Sequence, residues 1–321
     1  MILQTKIPLK KQERNLIDYS ANVFLLGSCF SENIGDKFHY FKFQNAVNPF
    51  GILFHPIAIE TLVANALDSK KYTEEDIFFN NEQWLCFDAH SKLSNASKET
   101  LLKQLNNSLK NTSQQITNAK HIIITLGTAW VYKNKETQKI VANCHKVPQK
   151  EFTKELLPVA VILDSLRCMV SKIKNVNSKA IIIFTVSPVR HVKDGFIENT
   201  QSKSHLITAI HQLLKEQSAS NNEQSFYFPS FEILLDELRD YRFYKKDMIH
   251  PNETAIQYIW ERFLDVWISQ SAKSIMKEVE IIKKGLQHKA FNKESKAHQN
   301  FLKQLKERQD SLSKKVPHIK F

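Results

Sequence analysis

Long apolar runs are missing. No stretch of the 321 residues approaches 18 consecutive apolar positions, so no membrane-spanning helix is expected. Cysteine is scarce, and Cys29, Cys86, Cys144 and Cys168 show no C-x-x-C spacing. That argues against a disulfide framework or a zinc site and suits a reducing cytoplasm. The histidines lack H-x-H and H-E-x-x-H spacings, so no metal is assigned, and no cofactor is called for. The first residues, Met1-Ile2-Leu3-Gln4-Thr5-Lys6, lack a basic segment followed by an apolar one and a small-residue cleavage site. No signal peptide is expected. Internal repeats and low-complexity linkers are also absent.

What is present is the composition of an ordinary globular protein, 42% hydrophobic and 24% charged. The net charge of +12 would suit nucleic acid if it were spread over the chain. It is not: residues 271–321 hold 13 Lys+Arg against 5 Asp+Glu, a net +8, leaving +4 for the other 270 residues. The basic signal belongs to a tail whose lysines read as a solvated helical face. No nucleic-acid partner is expected; an acidic partner or anionic membrane surface is the lesser alternative.

The chain is organised around Val23-Phe24-Leu25-Leu26-Gly27-Ser28-Cys29-Phe30-Ser31. A short apolar run ends in Gly-Ser, and apolar residues then recur at Ile34, Phe38 and Phe41. That is a buried strand, a tight turn and a helix. Ser28 stands at a strand's C-terminal end, where open α/β sheets bind ligands, and at a helix N-terminus. It is either a helix cap or a nucleophile. Cys29 beside it is a rival nucleophile or a small buried side chain.

Further on, Phe43–Val47 reads as a strand, followed by the turn Asn48-Pro49-Phe50-Gly51. Ile7-Pro8-Leu9 is an edge strand or lead-in, 56–67 a helix and 68–98 an irregular insertion. Residues 100–119 form a helix. His121–Leu126 is a β-branched strand closed by Gly127-Thr128. Residues 132–151 read as a hairpin or loop and 156–173 as a helix. Residues 179–186 are a strand followed by Ser187-Pro188-Val189-Arg190-His191, with a polar loop to Gln201. Residues 202–218 are helical, 225–228 a last strand and 230–239 a short helix. This alternation predicts a parallel sheet covered on both faces.

Asp247-Met248-Ile249-His250-Pro251 precedes a strong amphipathic helix, with Pro251 placed to open it. An acid three residues before a histidine can hold one ring nitrogen while the other takes a proton from a serine. Arg190 and His191 would share the rim with Ser28. Arg190 is either half of a structural ion pair or a binder of a substrate carboxylate or sugar hydroxyl. His90, His145 and Lys146 are loop residues, at the surface or in a pocket wall.

Gly27-Ser28-Cys29-Phe30-Ser31 resembles the signature of the GSCFA family, with Ser31 in place of the final alanine. That family is related to the SGNH/GDSL hydrolases. Asn48–Gly51, Gly127–Trp130, Ser187–His191 and Asp247–Pro251 extend the resemblance over residues 1–268. It implies a three-layer α/β/α, flavodoxin-like parallel sheet. It also implies Ser28 as nucleophile, His250 as base and Asp247 as the residue orienting the base. The oxyanion donors would be the N–H groups of Ser28 and Gly51 and one group from Gly127-Thr128. The broader superfamily usually supplies an asparagine after that glycine; here it is Thr128, whose hydroxyl reaches less far than an amide. Loss of one oxyanion donor costs about 3–4 kcal/mol, and Asn48 or a backbone N–H is the candidate substitute.

The expected activity is a serine esterase acting on a small-molecule or carbohydrate ester. The alternatives are an acyltransferase on the same machinery or a non-catalytic binding or scaffold protein. Residues 1–268 would form the hydrolase-like domain and 269–321 a basic helical hairpin.

Overall fold

The computed structural model describes residues 4–219 and 225–321; Met1-Ile2-Leu3, the start of the segment read for a leader, lie outside them. Five strands form the central sheet: β1 (Val23–Gly27), β2 (Asn45–Val47), β5 (His121–Leu126), β9 (Ile181–Val186) and β10 (Ser225–Tyr227). Their spatial order is β10-β9-β5-β1-β2, and every pairing is parallel. In sequence rank that is 2-1-3-4-5, the flavodoxin-like order. The chain reverses direction across the sheet between β1 and β5, and such a switch point opens a crevice at the strands' C-terminal ends.

Period-two alternation divides the strand residues between two cores. Phe24, Leu26, Ile122, Ile124, Ile182 and Phe184 face a cluster shared with α2 (Pro56–Leu67), α3 (Lys98–Asn118), α4 (Val159–Val176) and α5 (Phe196–Ala219). Val23, Leu25, Ile123, Ile181 and Ile183 face the other cluster, with α1 (Cys29–Tyr40) and α7 (Glu253–Trp267). All-buried β-branched strands are what a doubly covered sheet requires. The helices α8 (Gln270–Gln287) and α9 (Lys296–Lys315) form a hairpin. Their Met276, Val279, Ile282, Leu305 and Leu312 bury into the same cluster as Phe38 and Trp260.

Two small antiparallel units are added to the sheet. β3 (Phe78–Asn80) and β4 (Gln83–Leu85) pair within the segment expected to be irregular. β6 (Trp130–Asn134), β7 (Ile140–Val141) and β8 (Phe152–Leu156) form a three-stranded sheet. The short helix α6 (Ser230–Glu232) runs into a π-helical turn, Ile233–Leu238.

Several boundaries differ from expectation. Ile7-Pro8-Leu9 is not a strand: the Ile7 N–H is taken by the buried Glu237 carboxylate, which Arg262 also engages. Residues 196–201 are helical rather than loop, because α5 begins at Phe196. Pro251 does not open α7. Asn252 is its N-cap, accepting from the Ala255 N–H, while Pro251 pairs with Tyr244 in an extended bridge.

Candidate active site

Gly27 ends β1 at φ +125°, and a Cβ there would sit 2.1 Å from the Thr125 carbonyl oxygen. Only glycine lets β1 stay against β5 and turn into α1 at once. Ser28 is the N-cap of α1, its Oγ accepting weakly from the Phe30 N–H at 3.3 Å. Ser31 is not a cap. Its hydroxyl bonds the Leu26 carbonyl and Thr125 Oγ1, tying helix, β1 and β5 together.

On the loop before α7, Asp247 Oδ2 and His250 Nδ1 are 2.7 Å apart. Asp247 Oδ1 accepts from the backbone N–H groups of Ile249 and His250. Those bonds, with the one to the ring, hold the Asp247 carboxyl well below its ordinary range. Arg190 pins this loop: its N–H donates to the Ile249 carbonyl and its Nη1 to the Met248 carbonyl. Its guanidinium sits over the rings of Phe196, Tyr241 and Tyr244 at 5.2, 5.8 and 5.6 Å.

His250, Cys29, Thr128, Arg190 and His191 all line one cavity of about 570 Å³. Trp130, Tyr132 and Lys146 complete much of its wall. Ser28 is not on the wall and has no exposed surface. Among the described residues no hydrogen bond joins its Oγ to His250.

The expected oxyanion donors are already engaged. The Ser28 N–H donates to the Thr125 carbonyl and the Gly51 N–H to the Asn48 carbonyl. The Gly127 and Thr128 N–H groups both donate to the Phe54 carbonyl, at 2.7 and 3.0 Å. Thr128 Oγ1 accepts from the Trp130 N–H and bonds Ser202 Oγ. Asn48 Oδ1 accepts from the Gly27 N–H, while its Nδ2 is buried without a partner. Gly51, at φ +73°, makes room for His90 rather than for a ligand, since a Cβ would meet the His90 Cβ at 2.5 Å.

The GSCFA family model matches residues 22–263, three quarters of the chain. The chain belongs to the GSCFA family. A second family model, the C-terminal domain of GSCFA domain proteins, matches residues 279–321, within the hairpin. No curated protein matches this GSCFA chain. Among solved structures it is similar to an acetyl xylan esterase, Est2A, from the rumen bacterium Butyrivibrio proteoclasticus. The match covers 81% of this chain and 64% of that one, at 12% identity and a TM-score of 0.35. The GSCFA chain thus spans under two thirds of that enzyme's length.

Cys29 lies between the two readings of it. It is half-buried on the cavity wall, and burial raises its thiol above the ordinary cysteine value. Burial outweighs the helix N-terminus there. His145 is buried, bonded to the Cys86 carbonyl and Ser91 Oγ, and His90 is half-buried against Gly51.

Sequence reasoning missed Lys203. It is fully buried in the GSCFA fold, and its Nζ donates to the carbonyls of Gly127 and Ser187, at 2.6 and 2.7 Å. It thereby clamps the ends of β5 and β9 together. Burial pushes it down to about 7. The signal was available: Asn199, Ser202, Lys203, Leu206, Ile210 and Leu213 follow the helical spacing of the buried face of α5. Among the described residues no group of three His, Cys, Asp or Glu side chains converges on a metal position, and no helix is long and apolar enough to cross a membrane.

Proposed function

We propose that this protein is a serine-dependent carboxylic ester hydrolase of the SGNH/GDSL type. Ser28 is the nucleophile, His250 the base and Asp247 the residue that holds the base. The observation that carries this reading is the Asp247–His250 hydrogen bond, on the same cavity as the turn bearing Ser28. With Nδ1 given to the carboxylate, the His250 proton chemistry is left to Nε2.

In the reaction, Ser28 Oγ bonds the ester carbon as His250 Nε2 takes its proton. The same proton passes to the departing alkoxide, leaving an acyl-enzyme. A water repeats the sequence in reverse and releases the acid. Attack requires the buried Ser28 Oγ to become accessible to the substrate, a rearrangement compatible with loose catalytic geometry before binding. An acceptor hydroxyl in place of water would make the same machinery an acyltransferase. The substrate we propose is a small-molecule or carbohydrate ester, which the aromatic side chains of Trp130 and Tyr132 on the cavity wall would suit.

A second reading draws on the exposure of Cys29: the thiol, already on the wall, would be the acyl acceptor. A serine-directed fluorophosphonate, followed by mass spectrometry of the adduct, decides between them. Labelling at Ser28, abolished in Ser28→Ala and slowed in His250→Ala, is the expected result. An unlabelled Ser28, with p-nitrophenyl acetate turnover lost only in Cys29→Ala, would overturn it. No turnover and no labelling at either residue would favour a binding protein.

A further inference from the structure

Among the buried polar atoms that lack a partner, two belong to the neighbourhood of β1's end: Asn48 Nδ2 and His191 Nε2. Buried polar atoms are rarely left unpaired, and each one asks for an explanation. For His191 the geometry supplies one. A Cβ built on Gly127 would lie 3.4 Å from His191 Nε2 and 3.4 Å from Ser28 Cβ. Ring nitrogen and serine flank the same bare glycine. The ring is also held in place. The His191 backbone N–H donates to Asn199 Oδ1 at 2.8 Å, and the imidazole packs edge-on to Phe54 with centroids 5.9 Å apart.

The backbone N–H groups of Ser28, Gly51, Gly127 and Thr128 are all spent on carbonyls, and the Thr128 hydroxyl is shared with Ser202 and Trp130. We infer that the His191 Nε2–H is the oxyanion donor opposite Ser28, filling the role for which Thr128 is short and already bonded. This inference rests on the ester-transfer reading of Ser28.

The two histidines then divide the work. His250, bonded to Asp247, takes and returns the proton. His191 must instead stay neutral and keep its Nε2 proton throughout. Its surroundings favour that: burial first, then the positive charge of Lys203 and the neighbouring His250, bring it down to about 3. When Ser28 Oγ bonds the ester carbon, the carbonyl π pair moves onto oxygen. The His191 N–H hydrogen bond to that oxygen strengthens, and no bond at His191 breaks. Such a donor acts in the transition state rather than in substrate binding.

The test uses the full chain and three variants, His191→Ala, His191→Phe and His191→Gln, with p-nitrophenyl acetate turnover and fluorophosphonate labelling of Ser28. His191→Phe keeps a ring against Phe54 but removes the donor; glutamine restores an N–H at a similar reach. Alanine and phenylalanine should each lower kcat about 100-fold or more while KM changes little, as for loss of an oxyanion donor. Glutamine should recover most of that loss with the pH profile of the parent protein. Wild-type kcat in a folded His191→Phe or His191→Ala would overturn the assignment. So would a glutamine variant as poor as alanine with an altered pH profile, which would make His191 a base. A parent chain in which Ser28 is neither labelled nor needed would remove both readings, whereas normal labelling with indifferent His191 variants removes this one alone.

Discussion

Arg190 Nη1 donates to the Met248 carbonyl at 3.0 Å, so the turn after β9 grips the middle of the Asp247–His250 loop. Three aromatic rings hold the guanidinium in that position. Its visible partners are the protein's own, and we therefore propose a positioning role for it rather than the binding of a substrate group.

Arg190→Lys should keep the charge and lose the planar fork. We expect kcat to fall roughly tenfold, with a smaller change in KM, because the base is displaced while the cavity persists. Steady-state kinetics decide it. A rise in KM at unchanged kcat would return Arg190 to substrate binding.

Lys203 sets a pH signature on stability. Its folded value is about 7 against an ordinary 10.5. Between those values the unfolded chain binds the proton and the folded chain does not, so stability rises with pH across that window. Relative to Lys203→Met, the parent should gain on the order of 2 kcal/mol from pH 7 to pH 9. Urea unfolding of both proteins at the two pH values measures the difference. Parallel stabilities would show that the ammonium is not penalised by burial.

Three histidines extend the same dependence into the acid range. Burial brings His55 and His121 down to about 4 and His191 to about 3, from 6.5. Below pH 6.5 the unfolded chain takes up protons that these rings refuse. Stability therefore falls as pH falls toward 4, each ring costing on the order of 2–3 kcal/mol by pH 4.5. His121→Gln should flatten the pH dependence by one such increment. An unchanged slope would be the contrary result.

Truncation after Gln270 should cost far more than solubility. The hairpin buries Val279, Ile282, Leu305 and Leu312 with Trp260 and Phe38, and His318 Nε2 bonds the Lys42 carbonyl. A shortened chain should show a lower Tm and bind a hydrophobic dye. An unaltered Tm would mean that the hairpin adds nothing to the core.

Local patterns were legible and long-range partners were not. α2 over Pro56–Leu67 and β5 over His121–Leu126 stand at the expected residues, because a proline start and an unbroken β-branched run are local signals. β8 went unread because Thr153, Lys154 and Glu155 are all exposed, which erases the alternation. The start of α5 was hidden by Phe196 and Ile197, which point to solvent where a buried stripe is expected. Within the site, Asp247 and His250 are three residues apart, and their spacing alone suggested the hydrogen bond later found. The partners of the N–H groups expected to form an oxyanion hole are carbonyls of Thr125, Phe54 and Asn48, supplied by folding and invisible in a motif.

The Phe54 carbonyl accepts from two successive amides, Gly127 and Thr128, at the end of β5. The loop after β2 and the turn after β5 thus share one acceptor. In solvent-exchange terms, neither amide can release its proton until both segments separate. These two turn amides should exchange deuterium together and at the slow pace of the strands around them, although turns ordinarily open first. The backbone that carries Phe54 and Thr128 on the cavity wall would then move as one piece, so a shift of either segment would carry the other with it.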